Sequence, residues 1–182
     1  MTVLVIGASG SGKSEYAEQY AVQLGQYEND QANTTKPNRN LIYIATMEPY
    51  DAESDERIKR HRNLRKGKCF HTLECHTHLE EVKLGEADTV LLECISNLTA
   101  NEMYGLSGRK KQVAKTIVMG IKQLAEMAKH VVIVTNNVFE DGMDYDEATT
   151  RYLKNMAEIN EQAARLADHV IEVVHGIPIQ LK

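Results

Sequence analysis

The sequence predicts an α/β protein with a mostly parallel sheet covered by helices on both faces, in a single domain spanning residues 1–182. Three observations carry this. Short β-branched runs alternate with long amphipathic ones along the chain. The short runs are predominantly apolar, the pattern of strands buried on both faces. A glycine-rich turn joins the first of these runs to a helical pattern.

In order, Thr2–Ile6 is a strand and Lys13–Leu24 a helix. The segment Gly25–Asn40 (GQYENDQANTTKPNRN) is polar, rich in Asn and contains Pro37, so it reads as a flexible surface connection. Leu41–Thr46 is a second strand and Asp51–Lys66 a highly charged helix. Thr89–Cys94, His130–Thr135 and His169–Val174 complete the buried strands, and Ile177–Leu181 adds another after a Gly176–Pro178 turn. Arg109–Lys129 and Glu147–Ala167 are helices; in the former, Val113, Ile117, Ile121 and Leu124 recur at helical spacing.

Composition excludes several classes. A net charge of −5 argues against a general nucleic-acid binder. No run approaches the roughly 18 apolar residues of a membrane span, and the N-terminus lacks the layout of a signal peptide. Three cysteines, Cys69, Cys75 and Cys94, are an odd number without CxxC spacing. Neither a disulfide framework nor a zinc site follows from them, and a cytoplasmic location is expected.

The strongest local signal is Gly7-Ala8-Ser9-Gly10-Ser11-Gly12-Lys13-Ser14, which fits GxxxxGK[ST] between a strand and a helix. Glycines permit positive φ and close approach, so that successive backbone N–H groups wrap phosphate oxygens. The helix that follows points its positive end at the same anion. Lys13 reaches the outer phosphates and the Ser14 hydroxyl is a ligand for Mg²⁺. Glu93 stands at the end of a buried strand, where such proteins place the carboxylate that orients the metal. Ser14 and Glu93 are therefore the expected metal residues.

Residues Arg57–Lys66 (RIKRHRNLRK) hold six cationic side chains and His61, directly after an acidic run. Helical spacing puts Arg57, His61 and Arg65 on one face. By spacing alone, Glu53–Arg57, Asp55–Lys59 and Glu56–Arg60 pairs make an exposed, salt-bridged helix with no catalytic role, and Arg60 is assigned to Glu56.

Taken together the motifs resemble the bifunctional adenosylcobinamide kinase / adenosylcobinamide-phosphate guanylyltransferase family of cobalamin assembly. The resemblance rests on the phosphate loop, IAT at Ile44–Thr46, RIxxHR at Arg57–Arg62 and a WxTxE-like element at Phe70–Glu74. It continues with LLEC at Leu91–Cys94, TN at Thr135–Asn136 and a C-terminal element at Ala167–Lys182 containing GIP. It implies phosphorylation of adenosylcobinamide by ATP or GTP with Mg²⁺, then transfer of GMP from GTP to adenosylcobinamide phosphate through a histidine–GMP intermediate. The matching histidine is His61, so the catalytic expectation is His61 with Lys13. Thr46, Met47, Arg62, Glu74 and Glu93 join the loop residues as nucleotide ligands, and a homotrimer is implied. The chain departs from the family pattern at Asn137, Phe139, Ala157 and Glu161, and Phe70 stands where tryptophan is usual. The residues themselves leave open a P-loop kinase with another acceptor, or a nucleotide-dependent regulatory module.

Overall fold

The computed structural model describes residues 1–31, 41–84, 87–139 and 144–182. Its strands are β1 (Thr2–Gly7), β2 (Leu41–Ala45), β3 (His71–Glu74), β4 (Ala87–Leu92), β5 (Ala128–Asn136), β6 (His169–Val174) and β7 (Ile177–Gln180). Its helices are α1 (Lys13–Gln31), α2 (Ala52–Leu64), α3 (Ile95–Tyr104), α4 (Val113–Met127) and α5 (Glu147–Leu166), with a 3₁₀ turn at Leu79–Glu81. These seven strands form one sheet, in the order β3-β2-β4-β5-β1-β6-β7. Every pairing is parallel except β6 with β7.

The strands bury both faces, and alternation sorts their side chains. Leu4, Ile44, Val90, Leu92, Val131 and Ile133 pack with α3, α4 and α5. Val3, Val5, Tyr43, Leu91, Val132 and Val134 pack with Ala17 and Ala21 of α1 on the opposite face. The predicted α/β class and two-sided covering are present.

Several boundaries differ from expectation. α1 runs on to Gln31, so Gly25–Gln31 is helical and not a surface connection; residues 32–40 lie outside the described residues. α4 begins at Val113, and β5 starts at Ala128, taking in the end of the predicted helix. α3 and β3 have no counterpart among the predicted elements. α3 lacks a polar face because Ser96, Thr99, Asn101 and Glu102 are buried along with Ile95 and Leu98. β3 is a sheet edge whose outer residues are exposed.

Parallel pairing brings the carboxyl ends of β1, β2, β4 and β5 to one edge of the sheet, with Gly7 opposite Asn136. Ligands of open parallel sheets bind at this edge.

Candidate active site

The turn after β1 adopts the geometry its glycines predict. Gly10 and Gly12 have φ of 75° and 90°, the left-handed region that suits glycine. A Cβ on Gly12 would stand 3.3 Å from Gly176 Cα, and the Gly176 N–H donates to the Ser11 carbonyl at 2.8 Å. The C-terminal GIP element therefore braces the loop from behind. The Ser11 N–H and the Lys13 Nζ both donate to the Ala8 carbonyl, at 3.2 and 2.9 Å. Lys13 is 8% exposed, and burial, with Arg57 nearby, lowers its pKa while Cys94 partly opposes the shift.

A cavity of about 280 Å³ opens over this loop. Ser9, Gly10, Gly12, Lys13 and Ser14 form its floor, and Met47 and Glu93 line it from the ends of β2 and β4. Other walls include Arg57, Arg60 and His61 of α2, and Asn97 and Asn136. A second cavity, of about 320 Å³, shares Met47, His61 and Glu93 with the first and adds Arg62, Arg65, Glu74 and His76. His61 thus stands in the wall between the two.

α2 explains how a histidine comes to be there. Asp51 caps its N-terminus by accepting from the Ser54 N–H at 2.7 Å, and the Ser54 hydroxyl accepts from the Asp51 N–H in a reciprocal box. Its one buried residue is His61, so no apolar stripe holds the helix down. Polar contacts at and just past its C-terminal end do so instead. The Arg65 guanidinium lies 3.7 Å from the centre of the Tyr43 ring, and Lys68 forms a 2.7 Å ion pair with buried Glu18 of α1.

His61 Nδ1 lies 3.6 Å from Glu93 Oε1. Glu93 is itself fixed: its Oε2 accepts from the Thr46 N–H at 3.1 Å. Burial lowers the His61 pKa; Glu93 opposes the shift, while Arg60, Arg65 and Arg57 add to it. The imidazole therefore stays neutral to below the usual histidine value of 6.5. Because the folded protein takes up this proton less readily than the unfolded chain, the stability present above 6.5 declines as pH falls from 6.5 through the lowered folded value. Titration of the His61 ring followed by NMR should accordingly show a midpoint below 6.5. A midpoint above it would mean that Glu93 outweighs burial.

Some assignments made from spacing change. Among the described residues, none of the three predicted ion pairs along α2 forms, and Arg60 turns to the cavity and not to Glu56. Exposed ion pairs along a helix are worth little, so losing them costs little. Arg65 leaves Arg57 and lies on Tyr43. Thr46 is fully buried and lines neither cavity; its hydroxyl donates to the Cys94 carbonyl at 3.0 Å. Glu74 and Arg62, 3.5 Å apart, belong to the second cavity. Ala8 and Ser11 line neither of these cavities; with Ser9 and Gly10 they line a separate, smaller hollow. Gly7 lines neither nucleotide cavity, and a Cβ there would strike Ser11 Oγ and the Val173 carbonyl.

Asn97 had no sequence signal. Its buried Nδ2 has no partner among the described residues, although the residue lines the main cavity. The family departures lie elsewhere: Phe139, Ala157 and Glu161 are exposed, and Asn137 lines the smaller hollow. Asn160 keeps a structural task, accepting from the Thr135 hydroxyl at 2.7 Å and donating to the Asn136 carbonyl at 3.3 Å.

A parallel sheet with a phosphate loop after β1 and a carboxylate after β4 defines a P-loop nucleotide-binding protein, here with a basic, histidine-bearing helix over the loop. The fold is shared with a solved ATPase domain (TM-score 0.51, 9% identity, 94% of this chain and 68% of that one). It is also shared with the flagellar accessory protein FlaH from Methanocaldococcus jannaschii (TM-score 0.50, 12% identity, 100% of this chain and 77% of that one). Within that class the chain belongs to the cobinamide kinase / cobinamide phosphate guanyltransferase family, whose profile matches residues 3–181. Relatives include the bifunctional adenosylcobalamin biosynthesis protein CobU of Salmonella typhimurium, 29% identical with both chains covered in full. The corresponding protein CobP of Pseudomonas aeruginosa is 25% identical over 100% of this chain and 98% of its own.

Proposed function

We propose that this protein phosphorylates adenosylcobinamide with a nucleoside triphosphate and then transfers GMP from GTP to the resulting phosphate, giving adenosylcobinamide-GDP and pyrophosphate. The observation that carries the reading is the shared wall: a buried histidine, neutral and backed by a carboxylate, faces a phosphate loop on one side and an Arg/Glu-lined cavity on the other.

Each residue has a task. Backbone N–H groups of the loop and Lys13 hold the triphosphate, and Arg57 and Arg60 neutralise charge as it shifts. With Nδ1 turned to Glu93, the other ring nitrogen of His61 is the nucleophile. It attacks the α-phosphorus of GTP, a P–N bond forms, the bond to the bridging oxygen breaks, and pyrophosphate leaves. A phosphate oxygen of the phosphorylated corrinoid then displaces the imidazole, forming the phosphoanhydride. Glu93 stabilises the imidazole while its charge changes.

Ser14 and Glu93 offer hard oxygen donors to the same cavity, a set that suits Mg²⁺, and they are the residues that would hold it. When bound, the ion would supply charge neutralisation at the phosphates. No helix among the described residues is long and apolar enough to cross a membrane. A cytoplasmic enzyme is inferred, and by family resemblance a homotrimer, which light scattering would test.

With adenosylcobinamide and ATP or GTP, the purified protein should yield the phosphorylated corrinoid, and with further GTP the GDP derivative and one equivalent of pyrophosphate. Chromatography of the corrinoid products reads both steps. An unmodified corrinoid alongside turnover of another alcohol would replace this reading with a kinase of different acceptor.

A further inference from the structure

Away from the nucleotide cavities, His78, Glu80 and Glu102 converge from three places. His78 precedes the 3₁₀ turn, Glu80 lies within it, and Glu102 belongs to the last turn of α3. One ligand atom from each falls within 4.8 Å of the others. Glu102 is fully buried and the Glu80 side chain is 6% exposed.

The charges of this cluster do not balance. Among the described residues, Glu80, Glu81 and Glu102 face a single guanidinium, that of Arg109, which pairs with Glu80 Oε1 at 2.5 Å and Glu81 Oε1 at 2.6 Å. With His78 neutral, two negative charges remain, and the carboxylates of Glu80 and Glu102 are the buried ones. Buried charge without a counter-charge is costly. The Glu102 oxygens accept the backbone N–H groups of His78 and Arg109, at 2.5 and 2.8 Å, which hydrogen-bonds the charge without cancelling it. Glu80 Oε2 is buried with no partner among the described residues.

His78 is oriented as a ligand would be. Its Nε2 lies 2.7 Å from the Ser107 carbonyl and so carries the proton. That leaves a lone pair on Nδ1, which is buried, without a hydrogen-bond partner among the described residues, and 3.8 Å from Glu80 Oε1. Metal-bound histidines regularly donate their second ring N–H to a carbonyl in this way. The nearby Cys75 thiol is not needed as a ligand. It donates to the Thr77 carbonyl, and burial together with Glu102 and Glu80 raises its pKa to about 11.

We propose that His78, Glu80 and Glu102 bind one divalent transition-metal cation. One imidazole nitrogen and two carboxylates match zinc or manganese better than magnesium, and a 2+ ion cancels the residual charge. Metal–ligand distances of about 2.0–2.2 Å require the ligand atoms to close by roughly an ångström. The ion would tie the segment after β3, next to Glu74 and His76 of the second cavity, to the end of α3. It is a structural site that binds without nucleotide.

The test is a calorimetric titration of chelator-stripped, nucleotide-free full-length protein with Zn²⁺, alongside its melting temperature. The proposal expects one equivalent that raises the melting temperature, loses at least tenfold in affinity in His78→Ala and Glu102→Gln, and persists in His61→Ala. With Co²⁺, the wild-type protein should show ligand-field bands without thiolate charge-transfer absorption, a readout that needs no variant to fold. Absence of saturable binding, unchanged affinity in His78→Ala, loss in His61→Ala, or a thiolate band would each overturn it.

Discussion

Guanylyl transfer falls by about a thousandfold or more in His61→Ala protein, while phosphorylation of adenosylcobinamide stays within about tenfold of wild type. A thousandfold loss corresponds to about 4 kcal/mol of transition-state stabilisation, as expected when a covalent nucleophile is deleted. The split follows from position. His61 borders both cavities, yet the phosphate loop that holds the γ-phosphate is formed without it. The Arg57 and Arg60 side chains remain to bind triphosphate, so the KM for GTP should change little. Assaying the two half-reactions separately in one preparation checks this, and equal losses in both would indicate that α2 had moved.

Lys13→Ala should instead lower both reactions, by roughly 10²–10³ in kcat/KM, the scale of removing one preorganised charge from a transition state. The proposed mechanism places a nucleoside triphosphate over the same loop in both reactions, and Lys13 is the loop's buried cation. Lys13→Arg should not rescue the loss. Lys13 is buried, and its ammonium already spans to the Ala8 carbonyl at 2.9 Å, leaving little room for a planar guanidinium there. Steady-state kinetics with each substrate, accompanied by a melting curve, separates lost chemistry from lost folding.

The parts legible in the sequence were those governed by local rules. The phosphate loop, its flanking strand and helix, and Glu93 at the end of β4 depend on glycine conformation and on runs of buried β-branched residues. α3 was invisible because its polar residues are turned inward. Asn101 donates to the Thr46 and His76 carbonyls at 2.8 and 2.9 Å, so it reads as surface while acting as core. The same limit applies to α2. Spacing along a helix pairs Arg60 with Glu56, but the sheet edge supplies a cavity that spacing does not reveal. Tyr43 and Glu18 carry no catalytic signature either. Their importance comes from Arg65 and Lys68, which reach them only once α2 folds across the sheet.

Whether His61 carries GMP between the two substrates is read by mass spectrometry of the intact protein after treatment with GTP and Mg²⁺. The expected result is an acid-labile increment the size of GMP, located on His61 by peptide mapping and discharged by adenosylcobinamide phosphate. An unmodified protein that nevertheless makes adenosylcobinamide-GDP, or an increment on any other residue, would contradict it.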